Sequence, residues 1–353
     1  MSTVLSLARP ELLALEPYSH ARWDPGLERL HANENPWRPA GDTTASGLNR
    51  YPEPYPQALA DALAAHYGTT PDRLILGRGS DEVIDLLVRA FCRAGEDAVL
   101  ICPPTFGMYK VAARIQGARV VEVPLVAERD FALDAPRVID AAGDGVKIVF
   151  LCSPNNPTGN LLDTAAVECV IAALEGHALV VVDEAYIEFA TRDSLATQLP
   201  RYPHLVVLRT LSKAHALAGA RCGAALADPA IIELLKRLLP PYALAEPSIE
   251  AARQVLDSAR LATTAERVAT LVAERERMRA TLPRSPLVHR VWPSDANFLL
   301  VGCHDPQQFV DRGIGAGLLV RDVRRQPGLG DCMRVTIGSP QQNDRLLAAL
   351  EAT

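Results

Sequence analysis

Seven short apolar runs, rich in β-branched residues, recur through the first two-thirds of the chain. They are Leu74–Leu76, Ala98–Cys102, Arg119–Val123, Val146–Leu151, Ala178–Val182, Leu205–Arg209 and Cys222–Ala227. Most are apolar throughout rather than alternating with polar residues, the mark of strands covered on both faces. Helical segments such as SDEVIDLLVRAFCRAG and DTAAVECVIAALEG lie between most of them. The pattern predicts an α/β fold whose large domain is a mostly parallel seven-stranded sheet between helices. The last run is the weakest strand candidate, because Gly and Ala favour no strand.

The texture changes after LPPYALAEPS (Leu239–Ser248). One long helical stretch rich in Ala, Arg and Glu follows, then two short strand candidates, NFLLV and CMRVTIG, and a closing helix, QQNDRLLAAL. The expected organisation is therefore an arm over residues 1–45 packed on the small domain or on a partner, a large domain over 46–245, and a smaller α+β domain over 246–353. A length of 353 residues suits about two domains. The formal net charge of −6 disfavours a nucleic-acid-binding surface. Seven scattered cysteines without C-x-x-C spacing read as free thiols in a reducing compartment. The N-terminus lacks the features of a signal peptide. No apolar run approaches the ~20 residues of a membrane helix, so the expectation is a cytoplasmic protein.

Four strand ends carry polar residues suited to chemistry. LILGRGSDEVIDLL reads as strand, glycine turn and helix; Ser80 and Asp81 open that helix, whose free N–H groups and dipole suit a phosphate. Alone, Ser80 reads equally as a cap. FLCSPNNPTGN presents Asn156 between two prolines, more than a turn requires. LVVVDEAYIEF ends a run covered on both faces with Asp183, and a buried carboxylate needs a cation, a metal or a protonated ring nitrogen. No histidine stands in that stretch to complete a metal site, although Asp183 could also cap the next helix; Tyr186 lies within reach of a ring oxygen. TLSKAHALAGARCG follows the sixth run, so Lys213 projects from the edge where open α/β sheets bind ligands. Ser212 and Arg221 add a hydroxyl and a fixed cation for an anion. Among cations and partly desolvated, the Lys213 amine should lose its proton readily and act as a nucleophile.

From about residue 30 to the end, this order of motifs resembles the fold type I pyridoxal-phosphate aminotransferases: Asn-Pro-Thr-Gly, Asp-x-x-Tyr, and Ser-x-Lys followed by Arg. The resemblance implies pyridoxal 5'-phosphate as cofactor. Lys213 would hold it as a Schiff base and shuttle the proton, and Asp183 would pair with the pyridinium nitrogen. Asn156 and Tyr186 would bond the phenolate oxygen, and Ser80, Asp81, Ser212 and Arg221 would hold the phosphate. Tyr109 would stack on the ring face; without the resemblance it reads as an ordinary core aromatic. HANENPW, LNRYPEPYPQAL, LPPYALAEPS and LLVRDV followed by CMRVTIGSPQQNDRLL are most similar to the histidinol-phosphate aminotransferases. That similarity implies a homodimer with shared sites, in which Tyr51 reaches the neighbouring subunit's cofactor phosphate. It also implies that Arg334 holds the carboxylate of glutamate or 2-oxoglutarate. Arg321, with Tyr18 and Asn33 nearby, would help hold the phosphate of histidinol phosphate. Ala220 and Cys222, where the family more often has bulkier aliphatics, remove no functional group.

Three readings compete with this one. A threonine-phosphate decarboxylase and an aromatic amino-acid aminotransferase share the fold and the motifs. A catalytically silent regulatory domain usually carries a DNA-binding arm, and residues 1–45 show no helix-turn-helix or basic cluster.

Overall fold

A computed structural model describes residues 3–351 apart from Pro25. All seven expected strands form: β1 (Leu74–Gly77), β2 (Ala98–Ile101), β3 (Arg119–Glu122), β4 (Val146–Cys152), β5 (Leu179–Asp183), β6 (Leu205–Thr210) and β7 (Gly223–Leu226). They build one sheet in the order β1-β7-β6-β5-β4-β2-β3. The weak last run runs antiparallel to both its neighbours, and the other pairings are parallel. Successive residues leave opposite faces of a strand. Val180, Val182, Leu205 and Val207 therefore enter one core, while Leu179, Val181, Val206 and Leu208 enter the other. Two buried faces explain why the runs lack polar alternation.

A second, antiparallel sheet has the order β10-β11-β9-β8, with β8 (Val288–Val291), β9 (Phe298–Cys303), β10 (Arg321–Asp322) and β11 (Cys332–Thr336). Only β9 and β11 are legible as apolar runs; β8 has two exposed positions and β10 is two exposed residues. The expected long helix is two, Glu246–Val255 and Ser258–Thr281. Asp257 adopts extended backbone between them. Ala185, Tyr186, Phe189 and Ala214, in the segments that follow β5 and β6, pack with Ala296 and Phe298, so the small sheet is joined to the large one beside those strand ends.

The N-terminal arm is divided: at its end the Ala45 N–H donates to Glu250 of the expected small domain, whereas its first residues lie on the large domain. Val4, Leu7 and Ala8 are buried against the helices flanking the large sheet, in one cluster with Phe91 and Leu235. The Arg9 N–H donates to the Ala90 carbonyl at 3.0 Å. The apolar spacing of this short segment fits a groove on the large sheet's helices rather than the small sheet. Farther along, Tyr18, Leu27, Leu30, Trp37, Leu48 and Tyr51 stand exposed. Among the described residues no helix is long and apolar enough to cross a membrane.

Candidate active site

The carboxyl ends of the central strands open on a cavity of about 580 Å3. Ser80, Asp81, Asn156, Asp183, Tyr186, Ser212, Lys213, Arg221, Arg321 and Arg334 all line it. Ten sequence-predicted residues, scattered over more than 250 positions, thus reach one space. For eight of them the large sheet makes this possible, because its parallel strands deliver their ends to the same edge; Arg321 and Arg334 come from the small sheet.

One end of the cavity is an anion seat. Ser80 begins the helix Ser80–Phe91, and its N-cap is Gly79, which offers no side chain to occupy the free N–H groups. Gly79 has φ +75°, and a Cβ there would meet the Arg221 guanidinium at 2.5 Å. A Cβ on Gly223 would meet the Ser80 nitrogen at 2.5 Å. The two glycines let β7, the helix start and Arg221 converge. Arg221 donates to Asp81 at 3.1 Å and to the Ser212 hydroxyl at 3.5 Å. Its own backbone is left-handed, with φ 54°.

At the middle of the cavity, Asp183 is buried. One carboxylate oxygen accepts from the Tyr109 hydroxyl at 2.7 Å and the other from the Ala185 N–H at 3.1 Å. Among the described residues it forms no ion pair. Burial pushes its carboxyl up to about 6, opposed by those two donors. Lys213 is open to the cavity, and its Nζ lies 5.4 Å from the centre of the Tyr186 ring. Desolvation first, then the Arg334 charge, lowers the affinity of its amine for a proton. The Asn156 amide donates to the Tyr186 hydroxyl at 3.4 Å, while its oxygen accepts from Arg334.

The far wall is cationic. Arg321 and Arg334 are directly opposed in the β10–β11 ladder, so both guanidinium groups lie on one sheet face. Neither has an ion pair among the described residues, and the Nε of Arg334 is buried without a partner. Two like charges side by side favour an anion between them.

A family model described as aminotransferase class I and II matches residues 31–350. The chain belongs to the class I and II aminotransferases. A histidinol-phosphate aminotransferase of Stenotrophomonas maltophilia (strain R551-3) is 53% identical to this aminotransferase, over 99% of the chain and 97% of the relative. The solved histidinol-phosphate aminotransferase from Sinorhizobium meliloti, in complex with pyridoxal-5'-phosphate, superposes with a TM-score of 0.76 at 29% identity, over 86% of this chain and 82% of that one. An L-threonine-O-3-phosphate decarboxylase from Porphyromonas gingivalis has a TM-score of 0.72 at 23% identity, over 86% and 90% of the two chains, a likeness of fold alone.

Four expected residues stand elsewhere in the aminotransferase. Tyr109 does not line the cavity; it is fully buried, stacked on Phe150 at 4.6 Å. It lies in the first turn of the helix Met108–Gln116, whose side chains tilt back onto the sheet. Phe106, three residues earlier in the loop, lines the cavity instead, with Tyr109 edge-on behind it at 5.6 Å. The signal that could have found it is its position in the loop directly after β2. Asn33 and Tyr51 line a second, separate cavity with Tyr242, on which Tyr51 stacks at 4.7 Å. Tyr18 is exposed. Within one chain, Tyr18 and Asn33 therefore do not line the first cavity with Arg321: Asn33 faces the second cavity and Tyr18 faces solvent. Cys152 and Gln326 also line the first cavity, and neither belongs to a pattern that spacing would reveal.

Proposed function

We propose that this aminotransferase is a histidinol-phosphate aminotransferase, moving an amino group between histidinol phosphate and 2-oxoglutarate to give imidazole acetol phosphate and glutamate in the cytoplasm. The observation that carries the reading is the pairing of an uncompensated buried carboxylate, Asp183, with a desolvated amine, Lys213, across one cavity that has an anion seat at one end and, at the other, two arginines without an ion pair among the described residues.

Pyridoxal 5'-phosphate fits these residues. Its protonated ring nitrogen would satisfy Asp183, its phosphate the helix start with Ser80, Ser212 and Arg221, and its ring oxygen Asn156 and Tyr186. Phe106 offers an apolar ring as a wall. When bound, the cofactor supplies an electron sink conjugated to the substrate's reacting carbon. The protein's part is to hold charges and move one proton. Asp183, kept ionised by its two donors, keeps the ring nitrogen protonated. Lys213, short of a stable proton because it is desolvated beside Arg334, is suited to take the proton from the substrate carbon and return it.

Substrate choice follows from the paired arginines. Histidinol phosphate carries a phosphate and no carboxylate, whereas glutamate carries two carboxylates, so one set of guanidinium forks must accept either anion. Arg334 serves the carboxylate, and Arg321 adds what the phosphate requires.

A homodimer completes the site in this reading. Leu30 is 99% exposed and Trp37 77%, and apolar side chains so bare want a covering surface. A second copy would cover them and bring its Tyr51 hydroxyl to the anion seat, with Tyr18 and Asn33 near the arginines.

The test is a spectral titration of purified protein. Loss of the bound cofactor's visible band on adding histidinol phosphate, restored by 2-oxoglutarate, is the expected result. Carbon dioxide release from threonine phosphate, with no such exchange, would overturn the reading in favour of a decarboxylase.

A further inference from the structure

Tyr109 misses the cavity yet touches both things that matter at its centre. Its hydroxyl donates to Asp183 at 2.7 Å, and its ring backs Phe106 edge-on at 5.6 Å while stacking on Phe150 with an interplanar angle of 5°. The side chain is wholly buried and has no route to solvent. A phenol so placed cannot lose its proton cheaply; burial first and the nearby Asp183 charge hold it protonated. It is a permanent donor aimed at one carboxylate oxygen.

We infer that Tyr109 is a positioning residue for the cofactor ring: its hydroxyl keeps Asp183 ionised and oriented, and its ring fixes the aromatic wall at Phe106. The inference rests on reading the cavity as a pyridoxal-phosphate site. Asp183 accepts one other hydrogen bond, from the Ala185 N–H. The groups acting on it are few. Asp81 at the start of Ser80–Phe91 opposes its ionisation, Lys213 after β6 favours it, and the Cys152 thiol at the end of β4 lies beside it. Among the described side chains, only Tyr109 both hydrogen-bonds the carboxylate and favours its charge. Removing that hydroxyl therefore shifts Asp183 toward the neutral acid, which cannot pair with a pyridinium.

The experiment compares wild type, Y109F, D183N and the double variant as apoproteins. Each is titrated with pyridoxal phosphate between pH 5 and 9, and the ring nitrogen of 15N-labelled cofactor is followed by NMR. Y109F keeps the stacked ring, so its melting temperature in the absence of cofactor checks folding. The expected result is about tenfold weaker cofactor binding at neutral pH, narrowing as pH rises, with the ring-nitrogen signal displaced toward neutral pyridine. In the D183N background, adding Y109F should change almost nothing. Unchanged affinity in Y109F would overturn the inference, as would a loss equal at every pH and equal with or without Asp183. A wild-type protein that takes up no cofactor would overturn the functional reading as well, which separates the two failures.

Discussion

Asp183 and Glu184 are neighbours in sequence and both buried where β5 ends, yet their surroundings differ in kind. Glu184 belongs to a closed cluster. It accepts from the Ser194 hydroxyl and the Leu195 N–H at 2.8 Å, and Arg209 stands 3.8 Å away. Arg209 in turn pairs with Glu188 at 2.8 Å and lies over the Tyr67 ring at 4.5 Å. Asp183 has two neutral donors and, among the described residues, no ion pair. A buried charge that its own chain neutralises is structural; one that the chain leaves uncompensated is waiting for a ligand. The same residue chemistry thus serves architecture on one side of the strand end and function on the other.

Four expected outcomes would break or sharpen that contrast. On the open side, Lys213→Ala should reduce turnover by about 10^2- to 10^4-fold, measured with saturating cofactor; near-normal turnover would remove the amine from the mechanism. On the closed side, Glu184→Ala should cost about 3–5 kcal/mol of unfolding free energy, because Arg209 loses part of its compensation. Chemical denaturation gives the number, and an equal loss of cofactor affinity in the folded fraction would mean that the two carboxylates are not separate systems.

The third outcome concerns pH. The Asp183 carboxyl rises from its ordinary 3.8 to about 6 in the folded apoprotein. Its contribution is therefore full below about 4 and is lost as pH rises through about 6, for a total of about 3 kcal/mol. Half-buried His66 and buried His215, both held down to about 4, act in the opposite direction. The difference in stability between wild type and D183N isolates the Asp183 part, and a flat difference across pH 4–7 would contradict an uncompensated carboxylate. The smallest effect is at the cationic wall. Arg321→Ala should weaken kcat/KM for histidinol phosphate about tenfold more than for glutamate; equal losses would deny Arg321 a role in reading the phosphate.

The large sheet is legible because its signal is strong. Seven runs, all but β3 covered on both faces, leave few alternatives, and the sheet edge at their carboxyl ends carries most of the site residues. Eight of the ten residues at the first cavity lie at that edge, where strands end or begin and a helix opens; Arg321 and Arg334 lie within the small sheet and could be named only through the resemblance. β8 and β10 escape because two to four residues with exposed side chains carry no apolar period. Phe106 and Tyr109 are three apart in one short loop–helix junction. Which ring faces the cavity depends on where the helix begins, a boundary that side-chain type does not set. Asn33 and Tyr51 line a cavity with Tyr242, about 190 residues further along the chain, so no local pattern reports their surroundings.

Arg221 sits in a left-handed conformation that glycine adopts freely and arginine does not. Replacement by glycine would relax about 1 kcal/mol or more of local backbone strain and delete the guanidinium from the anion seat in the same step. A campaign that ranks variants by heat tolerance alone would thus be drawn toward a sturdier protein with an empty hand, and selection for endurance and selection for turnover would pull this one position apart.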